Sequence, residues 1–270
     1  MNRLKLKITI VTACLNSEKT IEHCMQSVFK QTYRDIEYII IDGKSTDTTC
    51  EIIAKYKNLI NHFVSEIDSG IYSAWNKGIK NATGDYVLIL NSDDALHDER
   101  VIEDISNQII VQKWPAAIYG KVLAYEKESG YSYIDGRPTK LNDFIKRMNY
   151  CTPAAFVKKE TYDRIGLYNE NYSISSDYDW AIRLFKHYTD SQIIFYDRVV
   201  TDFCVGGTSN EYFKKAYREV AIIIKNHFSM NAYVRHLWHN KLLLLKMSIV
   251  SLLRGTIFMK LWRQMKQHYR

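Results

Sequence analysis

The chain has 270 residues, enough for one large α/β domain with a sizeable core and an appendage. Hydrophobic residues make up 46% of it and charged residues 25%, a globular balance that excludes a disordered chain. The net charge of +7 is concentrated at one end: from Asn231 onward the chain carries Arg235, Lys241, Lys246, Arg254, Lys260, Arg263, Lys266 and Arg270, with no Asp or Glu. Everything before that is close to neutral. The five cysteines (Cys14, Cys24, Cys50, Cys151, Cys204) are scattered and form no C-x-x-C pair. That argues against a disulfide framework or a zinc site and suits a reducing, cytoplasmic setting.

In chain order, Ile8–Thr12 reads as a strand. The apolar stretch runs at once into Asn16-Ser17-Glu18 without a small-residue cleavage site, so it is read as a strand and not as a signal peptide. Ile21, Cys24, Met25 and Val28 fall on one helical face. Ile36–Ile41 is a second strand that breaks at Asp42-Gly43, and Asp47 is a candidate N-cap for a helix carrying Ile52, Ile53 and Tyr56. Phe63-Val64-Ser65 is a short third strand. The cleanest amphipathic helix carries Ile71, Ala74, Trp75, Gly78, Ile79 and Ala82 and ends near Gly84. Tyr86–Leu90 is a buried strand delivering Asn91-Ser92-Asp93-Asp94. Two β runs, 117–119 and 121–125, are separated by Gly120, and Pro138 and Pro153 punctuate the stretch beyond them. A helix over 178–187, a strand over 192–196 and a Gly206-Gly207-Thr208-Ser209 loop complete the domain, and the remainder looks helical. Alternating strands and helices predict an α/β fold with a doubly wound, mostly parallel sheet over 1–210, and a helical extension over 211–270.

Two phosphate motifs can be set aside. Gly43-Lys44-Ser45 lacks the glycine a P-loop needs five residues earlier, where Tyr38 stands. No glycine precedes Gly43, which removes a dinucleotide fingerprint and counts against a nucleotidyltransferase. There remain polar residues at successive strand ends: Thr12 and Asn16, Asp42, Asp68-Ser69-Gly70, and Asp93-Asp94. Ligands of open α/β sheets bind at that rim. Asn91–Asp94 reads as a metal–diphosphate site, with a turn or helix cap as the plain alternative.

These segments resemble family 2 glycosyltransferases, inverting enzymes of the GT-A fold. The matching stretches are Ile8–Asn16, Ser27–Tyr33, Ile41–Asp47, the Asp68–Gly78 run Asp-Ser-Gly-Ile-Tyr-Ser-Ala-Trp-Asn-Lys-Gly, and Gly84–Asp94. The Asp68–Gly78 run is similar to that of a subgroup building bacterial surface polysaccharides. The resemblance implies a nucleotide-sugar donor, taken here as a UDP-sugar. It places Asp42 near the base with Thr12 and Asn16, and adds Asp68, Asn76, Lys77, Asn91, Ser92 and Asp94 to the donor site. Asp93 would bind Mg²⁺ or Mn²⁺ on the donor diphosphate. Many relatives have Asp where this chain has Asn91, an amide that can coordinate but brings no charge.

Inversion by direct displacement also needs a carboxylate to take the acceptor proton. Ser175-Ser176-Asp177-Tyr178-Asp179-Trp180 resembles the family segment carrying it, which points to Asp177; a helix cap at Asp177 is compatible with that role. Arg183 stands four residues after Asp179 and can pair with it. Tyr150-Cys151-Thr152-Pro153 replaces a His-Gln pair of many relatives near the acceptor. The tail from Leu242 to Trp262 is apolar and interrupted by Lys246, Arg254 and Lys260, too charged to span a membrane. It reads as a basic amphipathic helix for the inner membrane surface, beside a glycan or lipid-linked acceptor, with packing on the domain or on a second copy as alternatives. Nothing marks nucleic-acid binding. A catalytically silent, membrane-associated glycan-binding or scaffold homologue is the reading from another class.

Overall fold

The computed structural model describes residues 6–126, 130–205 and 213–252. Its strands are β1 (Ile8–Cys14), β2 (Ile36–Asp42), β3 (His62–Ser65), β4 (Tyr86–Ile89), β5 (Ala95–Leu96), β6 (Ala117–Glu126), β7 (Ser132–Asp135), β8 (Ala155–Lys158) and β9 (Ile193–Val205). The helices are α1 (Ile21–Phe29), α2 (Thr49–Ala54), α3 (Ile71–Asn81), α4 (Val101–Val111), α5 (Lys159–Ile165), α6 (Ser176–His187), α7 (Phe213–His227) and α8 (Met230–Leu252). Strand order is β3-β2-β1-β4-β8-β6-β9-β5, with β7 on β6. β3, β2, β1 and β4 run parallel, so their carboxyl ends share one edge. β8 enters antiparallel between β4 and β6, and β9 returns parallel to β6.

Continuous apolar runs form these central strands because both faces are covered. Ile8, Ile10, Tyr38, Ile40, Tyr86 and Leu88 share a core with Ile21, Met25, Ile53, Ile102, Ile105 and Ile109. The alternate residues Val11, Ile39, Ile41, Val87 and Ile89 are buried on the other face, where α3 packs on β1 and β2. Gly78 permits that approach, since a Cβ there would lie 2.2 Å from Val11 Cγ1. The doubly wound reading holds for this half of the sheet.

Several boundaries differ from expectation. Helix α2 begins at Thr49, and Asp47 lies outside it, where its carboxylate accepts from the backbone N–H of Thr49 (3.0 Å) and of Glu18 (3.1 Å). Tyr56 falls beyond its end. The two β runs around Gly120 are one strand, β6, with a register shift at Lys121; a Cβ on Gly120 would meet Arg198 O of β9 at 2.6 Å. The strand expected over 192–196 continues to Val205 as β9, and α4 was not anticipated. The Gly206–Ser209 loop and the tail beyond Leu252 lie outside the described residues. Among the described residues no helix is long and apolar enough to cross a membrane. The chain divides into two compact units, residues 1–220 and 221–270.

At the edge opposite the site, buried Glu37 ties β1 and β2 to the turn before β4. It accepts from Lys7 Nζ (3.0 Å), Thr9 Oγ1 (2.6 Å) and the backbone N–H of Thr83 (2.7 Å). Burial pushes its pKa up, but the Thr83 and Thr9 hydrogen bonds outweigh that and hold it at about 2 against an ordinary 4.5. The stabilisation is therefore complete above pH 4.5 and is lost as pH falls towards 2. Glu37→Gln is expected to cost about 2 kcal/mol in urea unfolding at neutral pH. The gap from the parent should narrow as the pH falls through that window; a gap independent of pH would contradict this account.

Candidate active site

The loops leaving β1 and β2 interlock at the shared carboxyl edge. Asn16 adopts φ +50°, a left-handed conformation that Asn tolerates. Its backbone N–H donates to Ser45 Oγ (2.8 Å) and its Oδ1 accepts from Thr46 N–H (2.9 Å). Ser17 Oγ lies 2.8 Å from Ser92 Oγ, which ties in the loop after β4. Asn16, Asp42, Ser92, Asp93 and Asp94 are thus gathered on one rim.

Their exposure separates ligand-facing groups from structural ones. Asp42 is fully buried and accepts from Ser45 N–H (3.0 Å), Ser45 Oγ, Ser65 Oγ (2.6 Å) and Cys50 Sγ (3.3 Å). Burial raises its pKa, yet the bonds from Ser45 and Ser65 prevail and lower it overall. Its oxygens are occupied in holding the 43–46 turn. Asp68 is only half-buried: Oδ1 accepts from Gly70 N–H (3.0 Å), and Oδ2 lies over Gly43. A Cβ on Gly43 would sit 3.0 Å from that oxygen and 3.5 Å from Leu15 Cδ1. Leu15 and Ile67 are 58% and 82% exposed, so apolar side chains stand open beside the Asp68 carboxylate.

Three expected donor-site residues are placed differently. Thr12 is buried on the α1 side of the sheet, with Oγ1 3.1 Å from Tyr38 Oη, because it shares the strand face of Ile8 and Ile10. It does not line the rim. Asn76 is buried and spent as a clamp: Nδ2 donates to Tyr168 O and Glu170 Oε1 (both 2.9 Å), and Oδ1 accepts from Tyr168 N–H (3.0 Å). Lys77 pairs with Glu66 (2.5 Å) at the end of β3.

The loop after β4 presents oxygen donors only. Asp94 is buried; it accepts from Cys204 N–H and Asn91 Nδ2, both at 3.2 Å. Burial first, then the neighbouring Asp93 charge, pushes its carboxyl well above the usual range. Asp93 is half-buried. Asn91 Oδ1 is buried with no hydrogen-bond partner among the described residues. Two crowded carboxylates and an unsatisfied amide oxygen on one loop fit a hard divalent cation such as Mg²⁺ or Mn²⁺, which Asp93, Asp94 and Asn91 Oδ1 would hold. Among the described residues no cluster of three His, Cys, Asp or Glu could hold a metal unaided.

Asp177 sits in the first turn of α6, which starts at Ser176, not after it. Its Oδ1 accepts from Tyr72 Oη at 3.1 Å and from Tyr178 N–H at 2.9 Å. Tyr72 belongs to the first turn of α3, directly after the Asp68–Gly70 segment, so this bond links Asp177 to the rim. Burial raises the Asp177 pKa to about 6 despite the Tyr72 bond. Tyr72 Oη is shared with Ile174 O (2.6 Å). Glu219 of α7 holds the same segment from another side, accepting from the N–H groups of Ser173, Ile174 (3.0 Å each) and Ser175 (2.9 Å). Neither Tyr72 nor Glu219 was anticipated. Arg183 pairs with buried Asp179 at 2.9 Å as expected, and donates to Ile165 O and Leu167 O, a structural tie.

Comparison with known proteins identifies the family and the fold. The family model described as Glycosyl transferase family 2 matches residues 9–166. A PGL/p-HBAD biosynthesis glycosyltransferase of Mycobacterium bovis is 29% identical over 184 residues, covering 66% of this chain and 70% of the relative. S. aureus TarS superposes with TM-score 0.66 at 21% identity over 84% of this chain, which spans 41% of the TarS chain. TarS 1–349 is also known in complex with UDP-GlcNAc. The mannosyltransferase PcManGT of Pyrobaculum calidifontis, in complex with GDP-Man and Mn²⁺, gives TM-score 0.60 at 17% identity, over 82% of this chain and 64% of its own. At such identities the structural likenesses speak for the fold, and they bear out the GT-A-type architecture.

Proposed function

The chain belongs to glycosyl transferase family 2, and we propose that it moves a sugar from a UDP-sugar to a glycan acceptor with inversion at the anomeric carbon. The observation that carries this reading is the Asp177 carboxylate, tuned to about 6 and tied through Tyr72 to the strand-end rim. A base with that pKa is ionised at neutral pH yet basic enough to accept a hydroxyl proton. The UDP choice follows the nucleotide in the TarS complex, while the GDP-Man complex of PcManGT marks the competing donor.

In this mechanism the nucleobase packs on the exposed Leu15 side chain beside Gly43, and Asp68 accepts from a base N–H. Asp42 keeps the 43–46 turn in shape behind it. Asp93, Asp94 and Asn91 Oδ1 would hold Mg²⁺ or Mn²⁺, which supplies charge to stabilise the departing diphosphate. Asp177 removes the acceptor proton as the hydroxyl oxygen attacks, while Tyr72 and Glu219 keep it in place. The acceptor is taken to be a lipid-linked glycan in bacterial surface polysaccharide synthesis, reached from the cytoplasmic face of the inner membrane, with the basic tail towards that surface.

Calorimetry with UDP, GDP and their triphosphates, with and without Mn²⁺, tests the donor half of this reading. The expected result is Mn²⁺-dependent binding of UDP. Preference for a triphosphate would point to nucleotidyl transfer, and binding of none would remove the enzyme reading.

A further inference from the structure

Up to Leu242, helix α8 is built inside out. Ala232, His236 and Asn240, spaced by four and therefore on one face, are buried, and Asn240 Nδ2 meets His236 Nε2 at 2.8 Å. The opposite side is exposed and carries large apolar residues, Met230 62%, Val234 43%, Leu237 36%, Trp238 62% and Leu242 53%, with Asn231 and Lys241 among them. A surface helix of a water-soluble protein normally turns such a stripe inward. Here the small and polar side is buried, and the large apolar side is left facing out.

Charge identifies what covers it. Glu219 is the last acidic residue of the chain; Lys225, Arg235, Lys241, Lys246 and the basic residues beyond them come after it without a single Asp or Glu. Arg235 edges this surface and Lys241 stands within it, its Nζ 5.7 Å from the centre of the Trp238 ring. An apolar surface containing Trp, with cations at its edge and within it and no acid nearby in sequence, suits a helix lying in the surface of an anionic bilayer. Its apolar side chains enter the acyl boundary and its cations meet lipid phosphates. A second copy of the chain fits less well, because Arg235 and Lys241 would meet like charges with no carboxylate from this segment to answer them.

We propose that the Met230, Val234, Leu237, Trp238 and Leu242 face of α8 docks on an anionic phospholipid surface. This deepens the lipid-linked acceptor reading given above, and its test does not depend on sugar transfer. The full chain is sedimented with vesicles of phosphatidylglycerol and phosphatidylcholine in a roughly 1:2 ratio, and with phosphatidylcholine alone. The parent should bind the anionic vesicles at least about tenfold more tightly than the neutral ones, and V234E/W238E should lose about tenfold on the anionic vesicles. Thermal unfolding and UDP binding should be the same in both proteins, so a failed donor reading shows separately. Absence of parent binding to anionic vesicles would overturn the proposal, as would equal binding by the double variant. A parent dimer that the substitutions split, without lipid binding, would assign the face to a second copy instead.

Discussion

Asp177→Asn is expected to lower kcat about a thousandfold while leaving the donor KM within about twofold, because it removes a proton acceptor and no donor contact. The amide keeps the size of the side chain and an oxygen for Tyr72 Oη, so the rim should stay intact. The parent's kcat/KM, which reports the free enzyme, should rise from acid pH through a midpoint near 6 and level off above it, since the base acts ionised. The Asn variant should lack that limb. Tyr72→Phe provides an internal check on sign: loss of a hydrogen bond to the ionised form should move the midpoint upward. An Asn variant that kept more than about a tenth of the parent rate would place the base elsewhere.

How far the sequence discloses this site depends on whether a residue's partners are local. Asp93, Asp68 and Asn16 were legible because an apolar strand run followed by a polar break marks a strand end, and parallel strand ends share a rim. Side-chain direction was not legible from the same pattern. Thr12 sits at a strand end in sequence but shares the face of Ile10, and so is buried against Tyr38. Asn76 lies on the best amphipathic helix, yet its role is fixed by Tyr168 and Glu170, more than 90 residues away. Glu219 is 44 residues and more from the three N–H groups it accepts from. Its only signal is its place as the last acid before a wholly basic stretch. α4 is a different kind of omission: its Val101, Ile102, Ile105 and Ile109 spacing is helical and was open to reading.

Asp93→Ala should abolish the Mn²⁺-dependent part of UDP binding and lower transfer by about a hundredfold or more, a larger loss than at Asp94. The reason lies in how the three oxygen donors are held. Asp94 is buried and committed to Cys204 N–H and Asn91 Nδ2, and Asn91 contributes a neutral oxygen. Asp93 is the half-buried member and brings charge at the rim, so it dominates the attraction for a cation. Asn91→Asp makes the converse case. A third carboxylate beside Asp94, whose pKa is already raised by burial and by Asp93, adds repulsion that only a cation can relieve. That variant should bind UDP more weakly than the parent without metal and should show a steeper gain when Mn²⁺ is added. If Asp93→Ala kept the parent's Mn²⁺ response, the cation would have to sit away from the loop after β4. The Asn91 oxygen, which has no hydrogen-bond partner among the described residues, would then need another explanation.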